Sequence, residues 1–239
     1  MVGKGRRKRS DPALSTSQIK DAAIRLFARN GYANASLEQI AAAAKFTKGA
    51  IYYYFKSKER LLLQILDDIE ARSVTRTAEA VKSCEGSTFD KLIEFNFSQA
   101  RWAASYPDDL AILMLTSIES ANRKGKVSGR ISRIYDNMRN LLDEVLGDAK
   151  ARGEIPVSAS TDELVLAVLA IHDGNMLLWY RSGLRPEVGR LLTAAATRTI
   201  LDRYNELREG SSSRPPSDRH VCCAHRSTRP FRCRTSWER

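Results

Sequence analysis

Helical spacing of apolar side chains recurs along most of this 239-residue chain and constrains its fold class more than any other feature. In QIKDAAIRLFARN, which starts at Gln18, the apolar residues fall three and four positions apart, on one face of a helix. Comparable patterns cover roughly residues 58–82, 88–105, 108–121, 128–151, 162–182 and 187–207. The sequence lacks the strict alternation of apolar and polar residues that is typical of a strand. The pattern therefore predicts an all-α fold.

Two short helices joined by a tight turn are predicted directly after the first helix. SLEQ at residues 36 to 39 is a capping box, in which the Ser36 hydroxyl can accept the backbone N–H of Gln39. The second helix then runs to Ala44 and ends in four alanines, which let another helix cross closely. After Lys45-Phe46, a third helix can begin at Thr47. The three helices predict a helix-turn-helix domain over residues 15–61.

The segment TKGAIYYYFKSKE is poorly suited to a helix that only packs against the protein. A glycine in a helix costs about 1 kcal/mol against alanine, and one helical face cannot bury three adjacent tyrosines. In a helix-turn-helix, the second helix projects its N-terminal residues into the DNA major groove, and Gly49 lets that backbone approach closely. Ile51 and Phe55, four positions apart, point inward. Tyr52 and Tyr53 therefore face outward, with hydroxyls that can donate to phosphate oxygens.

Other side chains near this helix start are candidate DNA contacts as well. Thr47 caps the helix, which leaves N–H groups and the positive end of the helix dipole for a phosphate. Lys48 can reach a guanine edge or a phosphate. The Ser36 hydroxyl and Lys58, at the start of the next helix, are further phosphate candidates.

The charge distribution agrees with a DNA-binding N-terminal module. The net charge of the whole chain is +11. Residues 15–61 carry eight basic and three acidic side chains, whereas residues 62–209 carry 19 basic and 22 acidic ones. Residues 1–14 and 210–239 are basic as well, and we expect them to be a disordered arm and a disordered tail. A basic module on a mildly acidic remainder is expected of a protein that meets a polyanion.

Residues 15–66 resemble the DNA-binding domain of the tetracycline-repressor (TetR) family of bacterial regulators. The matching pieces are AAIRLFARNGYANASLEQIA and TKGAIYYYFKSKERLL, where such proteins typically show S-K-G-x-L-Y-x-Y-F-x-S-K-E-x-L. The resemblance implies about nine helices, and a C-terminal domain that binds a small ligand and dimerises through its last two helices. It also implies DNA contacts from Thr47, Lys48, Gly49, Tyr52, Tyr53 and Lys58.

Two positions depart from the family pattern. Lys45 stands where the family often has a turn glycine, so a left-handed backbone there is mildly strained, although the lysine can add a phosphate contact. Ala50 stands where a polar side chain that reads bases is common. Alanine offers only van der Waals contact, for example with a thymine methyl group. The operator sequence therefore cannot be inferred from these residues.

Residues 62–209 are predicted to form the ligand-binding and dimerisation domain. An effector pocket needs a few polar groups among apolar ones. The candidate lining residues are Trp102, Met138, His172, Asn175 and Trp179. Most of these side chains are expected to belong to the core or to the dimer interface, and the pocket is the alternative. Dimerisation is expected through residues 162–182 and 187–207, with Leu164, Val168, Ile171, Leu191, Leu192 and Ile200 as candidate interface residues.

Other classes of protein find little support in the sequence. We find no phosphate loop, nucleophile elbow or metal-binding helix pair, so we expect no enzyme, no cofactor and no metal site. His220, Cys222, Cys223, His225 and Cys233 lack a regular C-x2-C pair. The absence of a long apolar run predicts a cytoplasmic protein. The expected function is a homodimeric transcriptional regulator, most often a repressor, that binds a palindromic site in double-stranded DNA until an effector releases it.

Two alternatives remain open at this point. One is a DNA-bound protein whose C-terminal half recruits a protein partner instead of a small molecule. The other is a protein that coats DNA non-specifically through its basic ends. The sequence does not identify the effector, the target genes, the sign of regulation or the role of the Cys- and Arg-rich tail.

Overall fold

The computed structural model describes residues 12–212 and consists there of helices and short connections. The helices are α1 (Pro12–Asn34), α2 (Leu37–Ala44), α3 (Lys48–Phe55), α4 (Lys58–Glu70), α5 (Arg76–Ser83), α6 (Thr88–Ser105), α7 (Pro107–Ser120), α8 (Lys126–Ala151), α9 (Thr161–Arg181) and α10 (Pro186–Ser212). A π-helical segment, Ala71–Thr75, lies between α4 and α5. The predicted all-α class is confirmed.

Helices α4 and α5 form one continuous rod with the π-helical segment between them. The backbone keeps helical torsion angles at Glu70, Ala71 and Thr75, so no break separates the three pieces. Counted this way, residues 12–212 hold nine helical rods, in agreement with the expected number. The π-helical segment was not predicted, because a single extra residue in a helical turn leaves no clear trace in the apolar spacing.

The N-terminal domain is held together by a small apolar core. Ile19, Phe27, Ile40, Ile51 and Phe55 are each at most 1% exposed. They come from α1, α2 and α3, so these three helices share one core. α1 begins at Pro12, earlier than predicted, since proline is well tolerated in the first helical turn.

The predicted end of the first helix is seen as a sharp turn at Gly31. This residue has a φ of 75°, and α1 resumes beyond it for a few residues. A side chain here would be strained, and its Cβ would lie 2.9 Å from a carboxylate oxygen of Glu119 on α7. Glycine therefore both allows the turn and lets α1 pack closely against α7.

The C-terminal domain is a bundle of α6 to α10 packed on the α4–α5 rod. Residues such as Phe95, Leu110, Ile134 and Met138 are buried at 1% exposure or less. The start of α6 carries a second capping box, in which the Ser87 hydroxyl accepts the backbone N–H of Asp90. The observed bounds of α6 to α9 lie within two residues of the predicted ones.

Ion pairs join α4 to helices of both domains. Lys20 of α1 reaches Asp68 of α4 at 2.7 Å. Arg130 of α8 pairs with Asp67 at 2.7 Å and also with Glu70, both on α4. Because α4 starts next to α3, the recognition helix of the predicted helix-turn-helix, and ends within the C-terminal bundle, it crosses the predicted domain boundary at residue 61.

The two predicted terminal segments lie mostly outside the described residues. α10 continues to Ser212, so the predicted tail starts as a helix at residues 210–212. Residues 1–11 and 213–239, which include the basic arm and the cysteines of the tail, are outside the description. Within residues 12–212, no helix is long and apolar enough to cross a membrane.

Candidate DNA-binding surface and ligand site

The start of α2 is fixed by the predicted capping box. The Ser36 hydroxyl accepts the Gln39 backbone N–H at 3.2 Å, and the Gln39 side chain accepts the Ser36 backbone N–H at 2.8 Å. The Ser36 hydroxyl also donates to the Glu38 carboxylate, so a phosphate oxygen would compete with Glu38 for this proton. The phosphate contact expected of Ser36 stays a prediction.

The turn between α2 and α3 passes through a left-handed residue, as expected. Lys45 has φ 60° and ψ 35°, and its backbone N–H bonds to Ala42 at 3.2 Å. The next N–H, of Phe46, reaches back to Ala41 at 2.9 Å. Together these bonds close the end of α2. A lysine here accepts backbone strain that a glycine would avoid, and its exposed side chain lies beside the start of α3.

The first turn of α3 presents backbone N–H groups on the protein surface. The Thr47 hydroxyl accepts the backbone N–H of Ala50 at 3.2 Å, which makes Thr47 the helix cap. Lys48 and Gly49 occupy the first two helical positions, where N–H groups have no acceptor within the helix. A Cβ at Gly49 would meet only the Thr47 hydroxyl, at 3.9 Å. Thus no intramolecular crowding requires glycine at this position.

The three tyrosines separate as predicted. Ile51 and Phe55 fill the inner face of α3, whereas Tyr52 is 45% and Tyr53 73% exposed. Tyr54 is half-buried, and its ring meets the Tyr53 ring edge-on at 5.2 Å. Tyr52 and Tyr53 therefore stand free to meet a partner, while Tyr54 packs against the protein.

Lysines lie over both exposed tyrosines. The Lys48 ammonium is 5.8 Å from the Tyr52 ring centroid, and the Lys56 ammonium is 5.6 Å from that of Tyr53. Lys56 follows α3 directly and has a positive φ of 64°. Two exposed lysines in strained backbone, Lys45 and Lys56, thus flank the recognition helix and add positive charge on either side of it.

Lys48 is paired within the free protein. Its ammonium contacts the carboxylate of Glu38, on the first turn of α2, and both side chains are exposed. The hydrogen bond from Lys48 lowers the pKa of Glu38, and the same bond raises the pKa of Lys48. Both groups are therefore charged at neutral pH. A phosphate that approaches Lys48 has to compete with Glu38.

Lys58 has partners inside the protein. Its ammonium donates to the carbonyl oxygens of Tyr32 at 2.8 Å, Ala33 at 3.3 Å and Ala35 at 2.7 Å, and it lies 4.5 Å from the Tyr32 ring centroid. Desolvation lowers the pKa of Lys58. These bonds fasten the connection between α1 and α2 to the start of α4. The direct phosphate contact expected of Lys58 stays a prediction. In the structure, its ammonium holds the connection between α1 and α2 against the start of α4.

The five predicted ligand-binding residues lie on three helices of the C-terminal domain. Met138 of α8 is 1% exposed and surrounded by core. Asn175 and Trp179 of α9 donate to carbonyl oxygens of Leu192 and Arg185, at 3.4 and 2.9 Å. They fasten α9 to α10 and its preceding turn. Their ligand-binding role remains a prediction.

His172 belongs to a chain of polar side chains within the bundle. Its Nε2 is 3.3 Å from the amide oxygen of Gln99, and its Nδ1 is 3.0 Å from a carboxylate oxygen of Asp173. Gln99 in turn donates to the Thr77 hydroxyl at 3.0 Å. This chain connects α5, α6 and α9. Gln99 and Thr77 were not predicted as site residues, since nothing in their local sequence distinguishes them from other polar residues on a helix.

Trp102, the fifth predicted residue, lines a cleft of about 280 Å³ between α5 and α6. Its side chain is 5% exposed. Within the part of the chain that the structure describes, its indole N–H is buried and has no acceptor. Among the five candidates, Trp102 therefore offers a polar group for which the described residues supply no partner.

Comparisons with known proteins agree with this architecture. The family model described as "Bacterial regulatory proteins, tetR family" matches residues 19–65. The crystal structure of the MbdR regulator from Azoarcus sp. CIB has a TM-score of 0.68 and 31% identity, and the match covers 78% of this chain and 97% of that one. The fatty acid metabolism regulator protein of Bacillus subtilis is 30% identical over 138 residues, 58% of this chain and 69% of the relative. The chain belongs to the TetR family.

A further relative is the HTH-type nicotine-responsive transcriptional repressor HdnoR from Paenarthrobacter nicotinovorans. It is 27% identical over 164 residues, which cover 68% of this chain and 82% of the relative. TetR regulators bind DNA, act as dimers and bind small-molecule effectors. Family membership thus makes the protein a DNA-binding regulator of transcription and not an enzyme.

Sequence reasoning missed two charged residues of this TetR surface. Glu38 was used only as part of the α2 cap sequence, and Lys56 only as part of the connection to α4. Both residues contact predicted DNA-binding residues: the Glu38 carboxylate pairs with the Lys48 ammonium, and the Lys56 ammonium lies over the Tyr53 ring. A sequence signal for Lys56 did exist, because a basic residue next to the tyrosine run enlarges the positive surface.

Proposed function

We propose that the protein is a homodimeric transcriptional repressor that binds a palindromic operator through the surface formed by α2, the turn and α3. A small organic effector in the C-terminal domain releases it from DNA. The observation that carries the proposal is the division of α3 into two faces. Its inner face is filled by Ile51 and Phe55, and its outer face exposes tyrosines and lysines around an uncrowded glycine.

Residues of α3 and of the segments next to it contact DNA in different ways. The first N–H groups of α3 bind a phosphate together with the Thr47 hydroxyl, because the helix dipole favours an anion there. Lys48 contacts a phosphate or a guanine edge, and Gly49 allows close approach of the backbone. Further contacts come from Ser36, Lys45, Ala50, Tyr52 and Tyr53. Lys58 positions α4 against the connection between α1 and α2.

Dimerisation through α9 and α10 is supported by exposed apolar side chains on both helices. Leu166 and Leu178 of α9 are each 53% exposed, and Leu191 of α10 is 69% exposed. Large apolar side chains exposed on both helices are best explained by a partner helix pair. Leu164 and Ile200, which the sequence suggested for this interface, are 9% and 7% exposed and pack within the protomer.

Repression and release by an effector are supported by the named relatives. HdnoR is named as a nicotine-responsive repressor, and the Bacillus subtilis relative regulates fatty acid metabolism. Release requires that the effector favours a conformation in which the two recognition helices no longer match the operator. Such a protein acts in the cytoplasm, where it meets bacterial DNA.

Selection of bound sites from random double-stranded DNA tests this proposal. The full chain should enrich a palindrome whose half-sites lie about 34 to 36 Å apart, or a multiple of that distance. Enrichment of single half-sites would contradict the dimer model. Failure to enrich any sequence, together with a steep dependence of affinity on salt, would instead favour non-specific coating of DNA.

A further inference from the structure

The cleft between α5 and α6 is lined by three arginines. Arg72 comes from the π-helical segment, Arg76 from α5 and Arg101 from α6. The remaining described lining residues are Thr77, Ala80, Ser98, Trp102, Ser105 and Tyr106, so no carboxylate is among them. A concave surface with three guanidinium groups and no lining acid attracts anions.

The three guanidinium groups differ in how far they are neutralised. Arg101 donates to a carboxylate oxygen of Glu94 at 2.6 Å, and Arg72 donates to Asp109 at 2.8 Å. For Arg76, none of the carboxylates within residues 12–207 lies within ion-pairing distance. The cleft therefore has one guanidinium without an acidic partner in that range and two more whose remaining N–H donors can bind a further oxygen.

Aromatic side chains give the cleft a flat apolar component. Trp102 lines it and has the buried indole N–H without an acceptor in the described part of the chain. Tyr106 lines it as well, with the Arg72 guanidinium 5.2 Å from its ring centroid. A buried N–H without an acceptor is unfavourable, so a ligand that reaches this indole nitrogen and supplies an acceptor gains affinity.

The helix is locally irregular beside the cleft. The π-helical segment Ala71–Thr75 contains Arg72 and directly precedes Arg76. Single π-helical turns are uncommon and occur often at functional sites. The irregularity thus coincides with the two arginines that the α4–α5 rod contributes to the cleft.

We propose that this cleft binds a small organic anion, a carboxylate or phosphate with an aromatic or apolar body, and that this anion acts on DNA binding through Arg72. The proposal deepens the proposed function, because it names the chemical class of the effector and the contact through which it acts. Arg72, Arg76 and Arg101 hold the anionic group, and Trp102 and Tyr106 contact the body.

Arg72 connects the cleft to the DNA-binding domain through Asp109. This carboxylate lies in the first turn of α7 and is 3% exposed. Burial raises the pKa of Asp109, and the bond from Arg72 opposes that effect. An anion in the cleft competes for the same guanidinium and weakens the bond between the rod and α7, the helix that packs on α1.

Calorimetric titration of the full chain tests the binding site with benzoate, phenyl phosphate and uncharged benzamide as probes. At least one anion should bind with saturation below about 1 mM, and benzamide should bind at least tenfold more weakly. Arg76→Gln and Arg101→Gln should each weaken anion binding at least fivefold. Arg133→Gln, an exposed arginine of α8, is the matched control and should change it less than twofold.

Saturable binding of benzamide as tight as that of the anions overturns the proposal, as does the absence of any saturable binding at 5 mM. Unchanged affinity in both arginine variants also overturns it. None of these outcomes depends on DNA, so they remain distinct from a failure of the proposed function, which would appear as the absence of operator selection.

Operator binding with and without the anion tests the role of Arg72. The tighter-binding anion should lower the operator affinity of the wild-type chain at least fivefold. In Asp109→Asn, the bond between Arg72 and residue 109 is already changed. The anion should still bind this variant, but it should lower the operator affinity less than twofold. Circular dichroism and a melting curve identify an unfolded variant; in that case Asp109→Ser, with a smaller uncharged side chain, replaces it. Full release of the folded variant from the operator by the anion overturns the link through Arg72.

Discussion

Replacing Gly49 by alanine should separate the stability of α3 from its function. Gly49 occupies the second position of α3, has no positive φ, and would place its Cβ 3.9 Å from its nearest neighbour, the Thr47 hydroxyl oxygen. Alanine therefore fits without strain and removes conformational freedom from the unfolded chain. We expect the free energy of unfolding to rise by about 0.5 to 1 kcal/mol.

The same methyl group should weaken operator binding. If the start of α3 lies against the duplex, a Cβ on each protomer separates backbone and DNA at both half-sites. We expect the affinity for the selected operator to fall at least tenfold, which corresponds to about 1.4 kcal/mol. A more stable protein that binds DNA less tightly cannot be explained by partial unfolding.

The assay pairs a chemical unfolding curve with an equilibrium DNA-binding titration at fixed protomer concentration. Gly147→Ala is the matched control, because Gly147 is an exposed residue within α8 and a methyl group there would have no neighbouring atom within 4 Å. That variant should gain similar stability and keep wild-type affinity. Unchanged operator affinity in Gly49→Ala would refute the close approach of α3 to DNA.

Three further substitutions test other parts of the account. Glu38→Gln frees Lys48 and removes a negative charge near the phosphates, so operator affinity should rise about threefold in a binding titration; a loss of affinity contradicts this. Lys45→Gly relieves about 1 kcal/mol of left-handed strain, so the melting temperature should rise while operator affinity falls; unchanged affinity argues against a phosphate contact. Leu191→Glu should yield a monomer in analytical ultracentrifugation, whereas Val157→Glu, also at an exposed residue, should leave a dimer. If both variants are dimers, the interface lies elsewhere.

Much of the fold follows from local sequence signals. Apolar spacing located the helices, and short-range caps fixed their starts, as with Ser36 and Thr47. The outward direction of Tyr52 and Tyr53 also followed from the spacing of the residues that fill the inner face. These features depend on residues within a few positions of one another, which is why a single sequence contains them.

Contacts between distant residues could not be predicted in the same way. The three carbonyl oxygens bound by Lys58 are 23 to 26 positions away, and Gln99 is 73 positions from His172. The cleft likewise combines the π-helical segment with α6, and neither has a sequence pattern that indicates a ligand. Such sites depend on how the helices pack, so the surface proposed for DNA binding was easier to predict than the cleft proposed for the effector.

The most direct test of the DNA-binding surface is the salt dependence of operator affinity in Lys48→Ala. Lys124→Ala, at an exposed lysine between α7 and α8, is the control. If Lys48 contacts a phosphate in each half-site, the slope of log affinity against log salt should shrink by about 2 per dimer, and affinity should fall at least tenfold with an unchanged melting temperature. A slope and an affinity equal to those of the wild type would contradict the proposal that α3 binds DNA through its N-terminal turn.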